Sequence, residues 1–67
     1  PTDVRVEVFD ATGRRIRLLQ EGTLKAGEHT VTWNGRNDLG RDSVSGTYFV
    51  KLWTPDRTLS QKVLLMR

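Results

Sequence analysis

The sequence predicts an all-β fold, an antiparallel sandwich or barrel, on three observations. Apolar residues recur at every second position in several short runs. Gly-, Asn- and Asp-rich turn chemistry separates those runs at spacings of roughly 8–12 residues, as in β-sandwiches. No window shows a capped helical period of about 3.6 residues, and the stretch Arg15 to Glu21, fenced by Gly13 and Gly22, is too short to make a convincing helix.

The first strand is read from Val4, Val6 and Val8, which alternate with Arg5, Glu7 and Phe9. Asp10-Ala11-Thr12-Gly13 then predicts a hairpin loop, because Gly13 can take positive φ without a Cβ clash. The second strand continues through Ile16 and Leu18, with Arg15 and Arg17 expected on one face and Ile16 pointing inward. Thr23 to Gly27 reads as a connection. His29, Val31 and Trp33, alternating with Thr30 and Thr32, predict a third strand. Asn34 to Ser45, with Gly35, Asn37, Asp38, Gly40 and Asp42, is dense turn chemistry.

The fourth strand is Thr47 to Thr54, with Tyr48, Val50 and Leu52 on one face and Phe49, Lys51 and Trp53 on the other. A turn at Pro55-Asp56-Arg57 leads into a fifth strand, Thr58 to Met66, where Leu59, Val63 and Leu65 share a parity. The expected core is Val6, Val8, Ile16, Leu18, Val31, Trp33, Tyr48, Val50, Leu52, Val63 and Leu65.

The 67 residues make one domain, 1–67, small enough that its stability is expected to be marginal. With no cysteine, disulfides and thiolate zinc sites are excluded. No apolar run approaches the roughly 18 residues of a membrane-spanning helix. The chain opens on Pro1-Thr2-Asp3, so an export signal is expected upstream on a longer precursor. Eleven basic against eight acidic residues give a net charge of +3, and eight of the eleven are arginine, the side chain suited to bidentate contact with carboxylate or phosphate.

Catalytic chemistry is not expected. His29 is the one histidine and lacks companions for a metal site or a general base. Ser43, Ser45 and Ser60 stand outside any G-x-S-x-G elbow, and no pair of the dispersed carboxylates is aimed into a cleft. No cofactor is expected. Asn34, Asn37, Asp38 and Asp42 offer oxygens to calcium, but their spacing is not that of a calcium loop, and Asx turns account for them.

Arg14, Arg15 and Arg17 form the strongest basic cluster, a candidate contact for a polyanion. Nucleic acid is not expected there, because no aromatic platform is interleaved with the cluster. Phe49 and Trp53, with Lys51 between them, are a candidate contact patch. The run Lys62-Val63-Leu64-Leu65-Met66-Arg67 is apolar between two cations. It is apolar enough to be held in a core and basic enough for a partner to read.

Val6-Glu7-Val8-Phe9-Asp10, then Gly13-Arg14, then Ala26-Gly27-Glu28-His29-Thr30-Val31-Thr32-Trp33-Asn34-Gly35-Arg36, resemble the flagellar-hook-cap-like immunoglobulin domain. Gly40 and Val44-Ser45-Gly46-Thr47-Tyr48-Phe49 continue the pattern, and Lys62 to Arg67 resembles the closing strand of the C-terminal sorting domain of type IX secretion cargo. The resemblance implies an immunoglobulin-like β-sandwich that lacks its first strand, since the family carries a further strand before Val4.

As a sorting domain it implies a non-catalytic signal that carries cargo across the outer membrane to the bacterial surface. Its partners would then be an outer-membrane translocon and a sortase-like peptidase, with anionic surface polysaccharide as a further contact. Gly46, Tyr48, Lys62, Val63, Leu64, Leu65, Met66 and Arg67 are the expected recognition residues. The alternative is a structural assembly module, either hook-cap-like or a filament or adhesin subunit whose missing strand is supplied by a neighbour or by the chain's own upstream segment.

Overall fold

The computed structural model describes residues 2–24 and 31–66. Four strands, β1 (Thr2–Asp10), β2 (Arg15–Leu24), β3 (Gly46–Trp53) and β4 (Thr58–Leu65), form one antiparallel sheet in the order β2-β1-β3-β4. The fold is all-β, as the alternation predicts.

The β1–β2 hairpin is closed by one carboxylate. Asp10 Oδ1 accepts from the Thr12 amide at 2.9 Å, the Thr12 hydroxyl at 2.6 Å and the Arg14 amide at 3.0 Å. Gly13 takes φ 90°, which lets its own amide reach the Asp10 carbonyl at 3.0 Å. The chain thus turns on the residues that the sequence marks for it.

One face of the sheet is aliphatic. Val8 is fully buried, with Val6 7% and Tyr48 4% exposed. Val8 pairs with Val50 and Val6 with Leu52, while Tyr48 also pairs with Val63 of β4. Full burial of a side chain of this size contributes about 1.5–3 kcal/mol.

Residues 31–45 return over this face. The Trp33 ring meets Tyr48 edge-on, with centroids 5.1 Å apart, and the Trp33 indole N–H donates to the Arg36 carbonyl at 2.8 Å. The Tyr48 hydroxyl donates to the Val44 carbonyl at 2.6 Å. That bond from a strand tyrosine to backbone just upstream has the form of the tyrosine corner found in immunoglobulin-like sandwiches.

Three expectations are corrected. Residues 31–33 are not a strand: Trp33 is fixed through its side chain, and the Arg36 amide turns back onto Asn34 Oδ1 at 3.0 Å. His29 and Thr30, the rest of that expected strand, lie outside the described residues. The register of β2 against β1 shifts twice, between Val6 and Glu7 and between Val8 and Phe9. These β-bulges each add one residue and re-aim the side chains beyond it. Leu18 therefore pairs with Glu7 on the far face, and Leu19 lines the aliphatic side instead. The core is also narrower than expected: Ile16, Leu18, Trp33, Val50, Leu52, Val63 and Leu65 are half-buried, and Val31 is 38% exposed.

Tyr48→Phe removes the bond to Val44 and is expected to lower stability by about 1 kcal/mol, read as a lower urea midpoint at an unchanged slope. The Asp10 carboxyl is held below its ordinary value of 3.8, first by the Thr12 hydroxyl and then by the Arg14 amide, against the opposing effect of desolvation. A depressed folded pKa stabilises above that ordinary value, and the gain is lost as pH falls through the lower folded value. Acid titration of the wild type and of Asp10→Asn should show this loss in the wild type and a flatter curve in the variant.

Candidate functional site

The polar residues serve the fold. Glu7 is 6% exposed and is gripped by Arg5 Nε and Arg15 Nη1, each at 3.2 Å. Asn37 Oδ1 accepts from the Leu39 amide at 2.9 Å and the Arg41 amide at 3.0 Å. Asp42 lies 3.4 Å from Arg36 Nε. Hydrogen bonds and ion pairs within the chain thus account for the oxygens that the sequence offers to a cation. Among the described residues no group of three or more His, Cys, Asp or Glu side chains could hold a metal ion.

The arginine cluster does not form the expected ladder. The bulge at Ile16 pairs Arg15 with Phe9 and Arg17 with Val8, so the two point to opposite faces. Arg15 is engaged by Glu7 and, at 3.6 Å, by Asp38 Oδ2. Arg17 donates to Asn34 Oδ1 and to the Arg36 carbonyl, both at 3.3 Å. Arg14 is exposed. A shared polyanion face built from all three is absent from this geometry.

The face opposite the aliphatic one interleaves cations with aromatic rings. Lys51 Nζ sits 4.9 Å from the Phe9 ring centre and 6.0 Å from that of Trp53, and the Arg5 guanidinium is 5.8 Å from Trp53. Each such contact is worth about 0.5–1 kcal/mol at an exposed site. Trp53 and Phe49 are half-buried, so the expected patch is a packed surface rather than a freely exposed pair.

The expected recognition residues do come together. Gly46 pairs with Leu65, Thr47 with Leu64 and Tyr48 with Val63. Val63 and Leu65 face the aliphatic side, while Lys62, opposite Phe49, and Leu64 face the other. Tyr48 is buried and supports the edge from within, whereas Leu64 is 67% and Met66 84% exposed. Arg67 lies outside the described residues.

What most distinguishes the molecule is the inequality of its two sheet edges. The outer edge of β2 is occupied at Ile16 and Leu18 by the chain itself: the Asp38 amide donates to the Ile16 carbonyl at 3.0 Å, and Asp38 Oδ1 accepts from the Leu18 amide at 2.9 Å. Two bulges further twist that edge. β4 pairs with β3 without a register shift, from Gly46↔Leu65 to Trp53↔Thr58, and it is the other edge of the sheet. Lys62 is its one charged residue. A long, regular edge with little charge is a template for strand addition. Alongside it lies an apolar groove of about 430 Å³, walled by Val63 and Leu65 of β4 and by Val31 and Trp33, with Val50 and Leu19 also lining it.

Sequence reading missed the role of Asp38, because the Leu18 amide it accepts from is 20 positions away and no local pattern reports such a distance. It also missed the burial of Glu7, whose alternation with valines marked it as an outward residue. The two bulges had no local signal either, beyond the adjacent apolar pair Leu18-Leu19.

The described residues thus define an immunoglobulin-like β module whose distinctive feature is an edge, not a gathered set of reactive groups. Residues 2–55 match the FlgD Ig-like domain, and the chain belongs to that family. It is 38% identical over 53 residues to the basal-body rod modification protein FlgD of Salmonella typhimurium (strain LT2), a match covering 78% of this chain and 23% of that protein. The basal-body rod modification protein FlgD of Salmonella typhi matches to the same extent. The chain therefore spans about a quarter of the length of the curated relatives it matches. No solved structure gives a significant match.

Asp38→Ala is expected to free the Leu18 amide and release Arg15 from one of its two carboxylates. Loss of the bond to a charged acceptor should cost about 1.5–3 kcal/mol. Hydrogen exchange should then quicken at Leu18 and leave the β3–β4 ladder unaffected.

Proposed function

We propose that this domain is a non-catalytic structural module that helps assemble other subunits, a reading supported by its match to the FlgD Ig-like domain and to basal-body rod modification proteins. The observation that carries this reading is the pairing of a family match over residues 2–55 with a sheet in which β4 is, among the described residues, an edge strand. Such an edge gives affinity through main-chain pairing and specificity through the side chains beside it. The domain works outside the cytoplasm in this reading, and its partners are other protein subunits. The test is binding of the domain to hook protein from the same organism, or its concentration-dependent self-association. A monomer that ignores hook protein would count against the reading.

A second reading, a C-terminal sorting signal for cargo crossing the outer membrane, is favoured by one specific feature. β4 lies after the matched span, yet it is ladder-paired through Leu65 and carries the Lys62–Met66 run with Leu64 and Met66 exposed. An outer-membrane translocon and a sortase-like peptidase would then be the partners, with anionic polysaccharide at the destination. Fused behind a reporter in a host with that apparatus, the domain should direct export, and removal of residues 62–67 should abolish it. Export that survives the deletion would leave the assembly reading standing alone.

A further inference from the structure

We propose that Asn34-Gly35 is a site of spontaneous covalent modification, and that the fold selects one of its two products. The Asn34 side-chain amide is lost as ammonia, and an ordinary aspartate remains at position 34, held by Arg17. This inference is independent of the assembly role above.

The chemistry is that of an asparagine followed by glycine, the one such pair in the chain. The Gly35 nitrogen attacks Asn34 Cγ. A bond forms between them, the Cγ–Nδ2 bond breaks, and ammonia leaves with the proton that the Gly35 nitrogen gives up. Water then opens the resulting five-membered imide. Addition at Cγ restores the normal main chain and gives aspartate. Addition at the main-chain carbonyl carbon of residue 34 takes Cγ into the main chain and gives isoaspartate. Water is the one co-reactant. Asparagine is among the thermolabile residues, and glycine favours the attack because no Cβ stands beside its nitrogen. Gly35 takes φ 79°, a conformation that other residues rarely enter, so the turn itself calls for the residue that makes Asn34 reactive.

The hydrogen bonds of Asn34 decide between the products. Its Oδ1 accepts from the Arg36 amide at 3.0 Å and from Arg17 Nη1 at 3.3 Å. Among the described residues Nδ2 donates to none. Replacing that NH2 group by oxygen therefore removes no bond of the fold. It adds a negative charge where a guanidinium already points, and charge-assisted hydrogen bonds are roughly twice as strong as neutral ones.

Isoaspartate has the opposite effect. With Cγ in the main chain, Oδ1 is no longer a side-chain acceptor turned onto the Arg36 amide. The Arg36 carbonyl is the group that holds the Trp33 indole, at 2.8 Å, so this product loosens Trp33 as well. Both products can lose water and close again to the imide. The mixture therefore drifts toward aspartate, the one the folded chain holds better.

The folded domain and a synthetic peptide of residues 32–37 are kept side by side in mildly alkaline buffer. Mass spectrometry follows the replacement of ammonia by water at position 34, and synthetic standards separate aspartate from isoaspartate. Both samples should be modified, with isoaspartate in excess in the peptide and aspartate in excess in the domain. Asn34→Asp should raise the urea midpoint of the domain by about 0.2–0.5 M, and the gain should vanish in an Arg17→Gln background. A folded domain that stays unmodified while the peptide is converted would overturn the proposal, as would an excess of isoaspartate in the folded domain. So would a lower midpoint for Asn34→Asp, or the same gain with and without Arg17.

Discussion

Tyr48 is the residue on which the rest of the structure depends. It sits in β3 between Asp10 of β1 and Val63 of β4, so its backbone ties the closing residue of the first hairpin to the last strand. Its ring takes the edge of Trp33, and its hydroxyl holds Val44. One residue therefore joins the pairing at the centre of the sheet, through its backbone, to the way residues 31–45 lie upon it, through its side chain. In a chain this small a few contacts must do that work, because too little surface is buried for redundancy.

The return of residues 31–45 has a second consequence, felt at the opposite end of the sheet order. Once Trp33 is seated on Tyr48, the turn beyond it carries Asp38 to β2, where it closes the edge that the bulges have already bent. The same seating leaves Val31 and Trp33 as the far wall of the groove beside β4. The closing of one edge and the furnishing of the other are thus two results of one packing event. Disturbing Trp33 or Tyr48 should therefore affect both edges together, whereas disturbing Asp38 should affect only one.

Much of this architecture was legible in the residues, and the part that was not has a physical cause. Period-two alternation marked β1 and β3 because each is regular and has one covered face, the condition under which the pattern is informative, and marked β4 through Val63 and Leu65, its two part-buried residues. The Asp10–Gly13 turn was legible because its hydrogen bonds are local. Residues 31–33 misled, since Val31 and Trp33 alternate like a strand but are held by a ring contact and a side-chain bond. β2 misled in a different way. An added residue in a bulge reverses the facing of everything beyond it, so Arg15 and Arg17, two apart, end on opposite sides. Gly46, Tyr48 and 62–65 lie together because they are partners in one ladder; the occupied stretch of β2 had no local sign, because Asp38 acts across the fold.

The charged face explains why the reactive-looking side chains of this domain leave so little for chemistry. A carboxylate as buried as Glu7 needs its partners in place, and Arg5 and Arg15 supply them from β1 and β2. The same face stacks Arg5 and Lys51 on aromatic rings, which engages one more cationic head, that of Lys51. Among the described residues no further strand pairs with β4, whose outer side lies beside a strip of apolar surface and Lys62.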